Sequence, residues 1–499
     1  MNTLSKGLMG SGFLLLSRRH LLPSLLALTA FLTVSSGCYL MRPNKGGGQA
    51  KASPPRVINA TDVALPTGYR IEAMAEGLTF PTGVAFDSQG AVYVVESGYS
   101  YGEKWTTPRL LRIGANGQLV EVASGGRNGP WTGAAFFEGA FYIAEGGAME
   151  GGRILRVTPG GQTQAIVDGL PSFGDHHTDG PVVGPDGWIY FGQGTASNSG
   201  VVGPDNLKFG WLKRAPSFHD IPGEDVTLVG QNFASVQRGK ITGAFVPDGE
   251  ATSHGQVVKG QVKCSGGILR VRPDGSNLEL VAWGFRNPFG LAFSPEGALY
   301  ATDNGYDERG SRPVWGSPDF LWKVERGLWH GWPDFVGGLP ITEEQFKPPT
   351  KPNPKFLLAK HPNKPPQPAA RLPVHSSANG LDFSRSPDFG HVGQAFVALF
   401  GDQTPVVGKS LHPAGFKVVR VDPQTGVIED FAVNKGRKNG PASKVGGGGL
   451  ERPVAARFSP DGKALYIVDF GMMPHDKAGA KPKEGTGVIW KVTREGGEK

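Results

Sequence analysis

The stretch Asp175-His176-His177-Thr178-Asp179-Gly180 gathers two imidazoles and two carboxyls in a chain that holds only 11 His in 499 residues. An imidazole beside a carboxylate suits general-base work, because the carboxylate orients the ring and stabilises its charged form. The competing reading is a surface loop, or histidines that satisfy backbone groups. Zinc is not indicated, since no third ligand stands at helical or Cys/His spacing.

A second stretch reads Gly284-Phe285-Arg286-Asn287-Pro288-Phe289-Gly290. The planar fork of an arginine can clamp a carboxylate or a quinone oxygen. Shortly after it comes Thr302-Asp303-Asn304-Gly305-Tyr306-Asp307-Glu308, a loop able to offer carbonyl and carboxylate oxygens to calcium. It lacks the EF-hand spacing, and an Asx-rich turn is the plainer alternative.

The elements that must position these residues follow a repeat. Gly83-Val84-Ala85-Phe86 precedes a turn at Ser88-Gln89-Gly90 and the strand-like Ala91-Val92-Tyr93-Val94-Val95. Related copies open at Gly133, Gly180, Gly290, Gly380 and Ala455. Each reads as two short strands joined by a tight turn, where glycine supplies positive φ. A second motif alternates apolar residues with Arg or Lys, as in Ile154-Leu155-Arg156-Val157 and Ile268-Leu269-Arg270-Val271. That is the mark of a half-buried strand. Two hairpins make a four-stranded unit, and units of roughly 40–50 residues indicate propeller blades. Copy openings are spaced by 50, 47, 110, 90 and 75 residues, so the longer gaps imply insertions, chiefly about 196–262 and 328–374. The expectation is an all-β, six-bladed propeller with long inserted loops. The alternative is a seventh blade inside 196–262. Chemistry in such a fold sits at one mouth of the channel, on the loops joining strands.

Composition agrees. Gly makes up 76 residues and Pro 41, about twice and one and a half times their usual shares, which excludes a mostly helical chain. With 38% hydrophobic residues the chain is too apolar for wholesale disorder. The formal charge is +7, but Lys6, Arg18 and Arg19 lie in residues 1–37, which carry no acid. No basic run interleaved with aromatics remains, so no nucleic-acid partner is expected.

Residues 1–37 read as a secretory signal: Ser17-Arg18-Arg19-His20-Leu21-Leu22, an apolar run to Val34, then Ser35-Ser36-Gly37 before Cys38. The arginine pair is twin-arginine-like, and Cys38 is the candidate lipidation site of an exported, periplasmic or cell-envelope lipoprotein. Its lipid would be the chain's sole link to a membrane. Residues 38–65 are expected as a flexible tether and 66–495 as the propeller. Lipidation of Cys38 leaves Cys264 without a disulfide partner.

The string Gly284-x-Arg286-Asn287-Pro288-x-Gly290-Leu291-Ala292-Phe293, followed by Asp303-Asn304-Gly305 and Gly331-Trp332-Pro333, resembles the soluble glucose/sorbosone dehydrogenase family. Asp175-His176 ahead of Gly184-Pro185-Asp186-Gly187-Trp188-Ile189-Tyr190 is similar to that family's base region. The resemblance spans roughly 66–495 and lies closer to the sorbosone-dehydrogenase-like branch. It implies a six-bladed propeller using pyrroloquinoline quinone (PQQ) and calcium. It implies His176 as base, with Arg286 and Asn287 on PQQ oxygens and the carbonyls of Gly305 and Tyr306 on calcium. A small sugar or sugar-derived aldehyde would be the substrate, and an external acceptor would take the electrons. The family brings further cations from later blades; the matching region here, Ala398 to Lys409, offers only Lys409. Two alternatives stand beside this dehydrogenase: a non-catalytic ligand- or protein-binding propeller, and a calcium-dependent sugar lactonase with Asp179, Asp303 and Asp402 as its carboxylates.

Overall fold

The computed structural model describes residues 56–100, 104–402, 412–476 and 479–496. The expected signal segment, Cys38 and Lys409 lie outside them. Six antiparallel sheets form the blades of a propeller. Their innermost strands are Pro81–Phe86, Trp131–Phe137, Thr178–Val183, Leu291–Phe293, Ala378–Phe383 and Pro453–Phe458. All six repeat copies fall on or directly before these strands. The second motif supplies third strands, such as Gly152–Val157 and Gly267–Val271. Blade 4 uses Pro318–Lys323 instead, which carries no such alternation. Residues 196–262 hold no seventh blade. Their sheets are two-stranded ladders, Val226–Thr227 with Val257–Val258 and Phe233–Ala234 with Ile241–Thr242.

The first hairpin shows why the turn residues matter. Asp87 Oδ1 accepts from the backbone of Gln89 and Ala91, and Gly90 takes φ +76° while donating to Asp87 O. The tyrosine that closes most copies packs against an aromatic ring of a neighbouring blade. Ring centroids lie 4.4 Å apart for Tyr93–Phe141, 5.1 Å for Tyr190–Phe293 and 5.0 Å for Tyr300–Phe383. Such pairs add about 0.5–1.5 kcal/mol each beyond their buried area.

The opening glycines have a different role from the turn glycines. Inner strands of adjacent blades meet around the axis, and a Cβ on Gly133 would stand 2.5 Å from Gly180 O. On Gly290 it would stand 2.4 Å from Asn379 O. Gly133→Ala is therefore expected to destabilise the protein by about 1–3 kcal/mol, because a backbone atom must yield. Thermal unfolding of the variant checks this.

Ring closure is not visible in the local pattern. The strand Tyr69–Leu78 forms the outer edge of blade 6 by pairing with Gly487–Arg494, from Tyr69 opposite Arg494 to Leu78 opposite Gly487. Upstream, Val63–Ala64 adds a fifth strand to blade 5. Residues 56–65, expected as the end of a flexible tether, are thus folded. Arg56 pairs with the buried Asp469, and Asn59 Oδ1 accepts from Thr61 N to cap a turn at Ala60–Asp62. A buried ion pair and ladder bonds outweigh the local entropy that the Gly/Pro-rich neighbourhood suggests.

Candidate active site

In each blade the loop before the first strand and the loop after the second leave the sheet at the same end. Blades 3 and 4 thereby bring four segments to one mouth: 171–177, 194–198, 284–290 and 304–309. Thr195 joins two of them. Its carbonyl accepts from His176 N at 3.1 Å, and its amide donates to Arg286 O at 2.9 Å. Gly194 leaves just enough room for the junction, since a Cβ there would lie 2.2 Å from His176 Cβ and 2.8 Å from Asn287 Oδ1. The histidine and arginine segments flagged in the sequence therefore abut.

The two histidines separate clearly. His177 Nδ1 lies 3.2 Å from Ser172 O, and its ring meets Trp211 edge-on at 5.8 Å. Burial pushes its imidazole down to about 4. It belongs to the packing of the loop, which Ser172, Thr178 and Gln193 tie together through their side chains. His176 is half-buried, and its Nδ1 is 3.2 Å from both Thr195 O and Thr195 Oγ1. Thr195 Oγ1 spends its own hydrogen on Ser197 O at 2.8 Å, and a carbonyl can only accept. The proton therefore sits on Nδ1, leaving Nε2 as the basic nitrogen. Burial, reinforced by the charges of Arg286 and Arg309, holds the imidazole well below its usual range. At neutral pH this ring is an uncharged base.

Arg286 is buried and mostly committed to the chain itself. Its Nη2 donates to Asp307 Oδ2 at 2.8 Å and Asn198 Oδ1 at 3.0 Å, and its Nε to Asn198 O at 3.2 Å. Nη1 has one long contact, 3.5 Å to Asn304 O. Asn287 Nδ2 donates to Asn304 Oδ1, and Asn304 Nδ2 in turn to Ala378 O. That relay fixes the amide orientation and leaves Asn287 Oδ1 buried without a partner, next to His176.

Arg309, which nothing in the sequence singles out, ties the mouth together. It meets Asp175, Asp205 and Asp307 at 2.7, 2.6 and 2.9 Å. Burial alone would raise the Asp307 carboxyl, but Arg286, Arg309 and His375 together hold it low. His375 likewise carries no signal in its local sequence. Burial opposes its charge, yet Glu308, 3.1 Å away, with Asp402 and Asp307 raises it to about 9. No sequence motif links residue 309 or 375 to residue 175; only folding does.

The carboxylate ring of the lactonase reading loses its middle member. Asp303 Oδ1 accepts from the backbone of Arg286 and Asn287, and Oδ2 from Trp322 Nε1. Blade 6 repeats the device, with Asp469 accepting from Arg452 N and Trp490 Nε1. Asp303 is thus a tie of the fold. Gly305 and Tyr306 lie on the same loop, with Gly305 N donating to Asp319 Oδ1 and Tyr306 Oη to Phe335 O. Among the described residues no three His, Cys, Asp or Glu side chains gather to hold a metal ion.

Fold and mouth together define a six-bladed β-propeller with a neutral histidine at the head of its channel. No family model and no curated protein matches the chain. Solved structures do share its fold. The holo form of the pyranose dehydrogenase PQQ domain from Coprinopsis cinerea is 15% identical over 90% of this chain and 100% of that one, with TM-score 0.51. The apo soluble aldose sugar dehydrogenase from Escherichia coli is 15% identical over 85% and 99%, with TM-score 0.51. The calcium structure of the Trichoderma reesei carbohydrate-active enzymes family AA12 is 14% identical over 88% and 98%, with TM-score 0.50. At such identities the likeness establishes the architecture.

Proposed function

We propose that this mouth is the active site of an oxidoreductase acting on a sugar or a sugar-derived aldehyde or alcohol, with PQQ as hydride acceptor and an external carrier for the electrons. The observation that carries the reading is His176: a neutral imidazole with its proton on Nδ1, set beside Arg286 and Asn287. Those two are also the groups with hydrogen-bonding capacity to spare, Nη1 on one and a buried, unpartnered Oδ1 on the other. They are the residues the resemblance places on PQQ oxygens. Arg286 Nη1 can donate to one, whereas Asn287 Nδ2 is spent on Asn304 and its Oδ1 only accepts. That oxygen suits a hydroxyl or N–H of a bound molecule, and the fit to PQQ oxygens rests on Arg286. When bound, PQQ would supply the two-electron sink for the substrate carbon.

The chain's own part is proton handling. His176 Nε2 takes the proton of the substrate hydroxyl, and Nδ1–H stays on Thr195 O, which steadies the resulting imidazolium. Burial, with Arg286 and Arg309, keeps the ring uncharged until then. Calcium fits less well. The ion takes six to eight oxygens, and among the described residues no cluster of His, Cys, Asp or Glu side chains adds to the two carbonyls, of Gly305 and Tyr306, that the resemblance assigns to it. No role in the chemistry is assigned to it. Residues 1–38 are read, within the same proposal, as the export signal and lipid-anchor site.

One observation favours a second reading, a propeller that binds without catalysis. The guanidiniums of Arg286 and Arg309 are already paired with Asp175, Asp205 and Asp307. The three carboxylates of PQQ then lack a strong clamp. The test is to add PQQ and calcium to purified protein and follow dye reduction over a panel of sugars. Turnover, with PQQ lost gradually during gel filtration, is the expected result. No turnover and no saturable PQQ binding by calorimetry would sink the dehydrogenase reading.

A further inference from the structure

Arg309 joins three parts of the chain that are far apart in sequence. Its Nη1 stands 2.7 Å from Asp175 Oδ2, on the segment carrying His176, and 2.6 Å from Asp205 Oδ2, in the short helix Pro204–Lys208 of the insertion. Its Nη2 and Nε stand 2.9 and 3.0 Å from Asp307 Oδ2, the oxygen that also takes Arg286 Nη2 at 2.8 Å. The side chain is only 11% exposed and lies over the ring of Phe209 at 5.2 Å. Asp175 is held on its other oxygen by Asn206 Nδ2 at 3.1 Å. The residue before the base is therefore pinned from both sides.

We infer that Arg309 is a positioning residue for His176, holding the Asp175-His176 segment against the loop whose Asp307 anchors Arg286. The inference rests on His176 being the base of this mouth. A lysine could not replace it fully, because three carboxylates around one guanidinium use the planar fork and not only its charge. The charge also acts on the imidazole. The charged and titratable groups near His176 are Arg286, Arg309, His177 and the adjoining Asp175. Beyond them stand Asp205, Asp220, Asp307 and, beside His177, Arg214. Arg309 is among those that keep the ring neutral.

The test uses full-length protein labelled with [15N]histidine, with His176 assigned by loss of its signals in H176Q. In R309Q the His176 titration should move upward by about one unit or more, the size expected on losing one nearby cation. R309K should return most of that shift, yet leave turnover at least tenfold below wild type. A titration in R309Q that superposes on wild type, or wild-type turnover in R309K, would overturn the inference. Should R309Q fail to fold, D175N decides. It removes the ion pair but keeps a side chain able to bond Asn206. It should speed exchange of the His176 Nδ1–H and lower kcat about tenfold with KM within twofold; unchanged exchange overturns the inference. Titration and exchange need no turnover. An inactive wild type would therefore defeat the dehydrogenase reading while these signals still settle the role of Arg309.

Discussion

Replacing His176 by Gln should lower turnover of the PQQ-loaded protein by about 10²–10⁴-fold, the range for losing a general base, while PQQ binding stays within a few-fold of wild type. Of His176, Asn287 and Arg286, the imidazole alone has a basic nitrogen, since Asn287 offers an amide and Arg286 a guanidinium that stays protonated. Steady-state kcat and KM, measured beside calorimetric PQQ titrations, check both halves. The pH profile adds a sign. The working form is the neutral ring, and burial with Arg286 and Arg309 holds its pKa well below 6.5. Activity should therefore stay level as pH falls through 6.5 and drop only further into acid. A profile that halves near 6.5 would mean that His176 is solvated like a free imidazole. The neighbouring His177→Gln should behave oppositely, changing thermal stability through its Trp211 and Ser172 contacts and leaving kcat nearly intact.

The largest effect on stability is expected at Asp334, which has no part in the proton transfer. Its carboxylate is fully buried and receives Arg312 Nη2 at 2.8 Å, the amides of Leu357 and Leu358 at 2.9 Å, and His361 Nε2 at 3.2 Å. Arg312, 1% exposed at its side chain, also donates to Pro333 O, Ser199 O and Lys355 O. One carboxylate thus holds the proline-rich insertion onto the loop that follows residue 309. Asp334→Ala leaves a buried cation without its counter-charge and two amides without an acceptor, which should cost about 3–5 kcal/mol. Equilibrium urea unfolding reads this directly. The double variant Arg312→Met, Asp334→Leu should recover only part of the loss. It removes the orphaned charge but still leaves the amides of Leu357 and Leu358 without an acceptor.

Much of the ring was legible because its signals are local. A glycine-bearing turn, a period of two and a closing tyrosine recur in most of the hairpins, and these follow from backbone sterics and from burying one face of a strand. The third strand of blade 4 escaped, because Pro318–Lys323 is buried along nearly its whole length and so does not alternate. The closing strand Tyr69–Leu78 escaped for another reason. Its partner lies more than 400 residues away, and nothing in its own pattern names that partner.

The site divides along the same line. The amino-acid order alone marks Asp175-His176 and Arg286-Asn287, because clustered imidazole, carboxylate and guanidinium groups are scarce and stand at strand entries. It cannot say which ring nitrogen carries the proton, since a tautomer depends on whether the facing atom accepts or donates; Thr195 places it on Nδ1 of His176, and Ser172 and Trp211 occupy His177. Nor can it recruit Arg309 and His375, or retire Asp303 to the framework, because ion pairs across 67 or 134 residues carry no periodic trace in the chain. Short-range sterics and burial write strands and turns into neighbouring residues. Charge pairing and proton placement are decided only when the blades close and water is driven from the mouth.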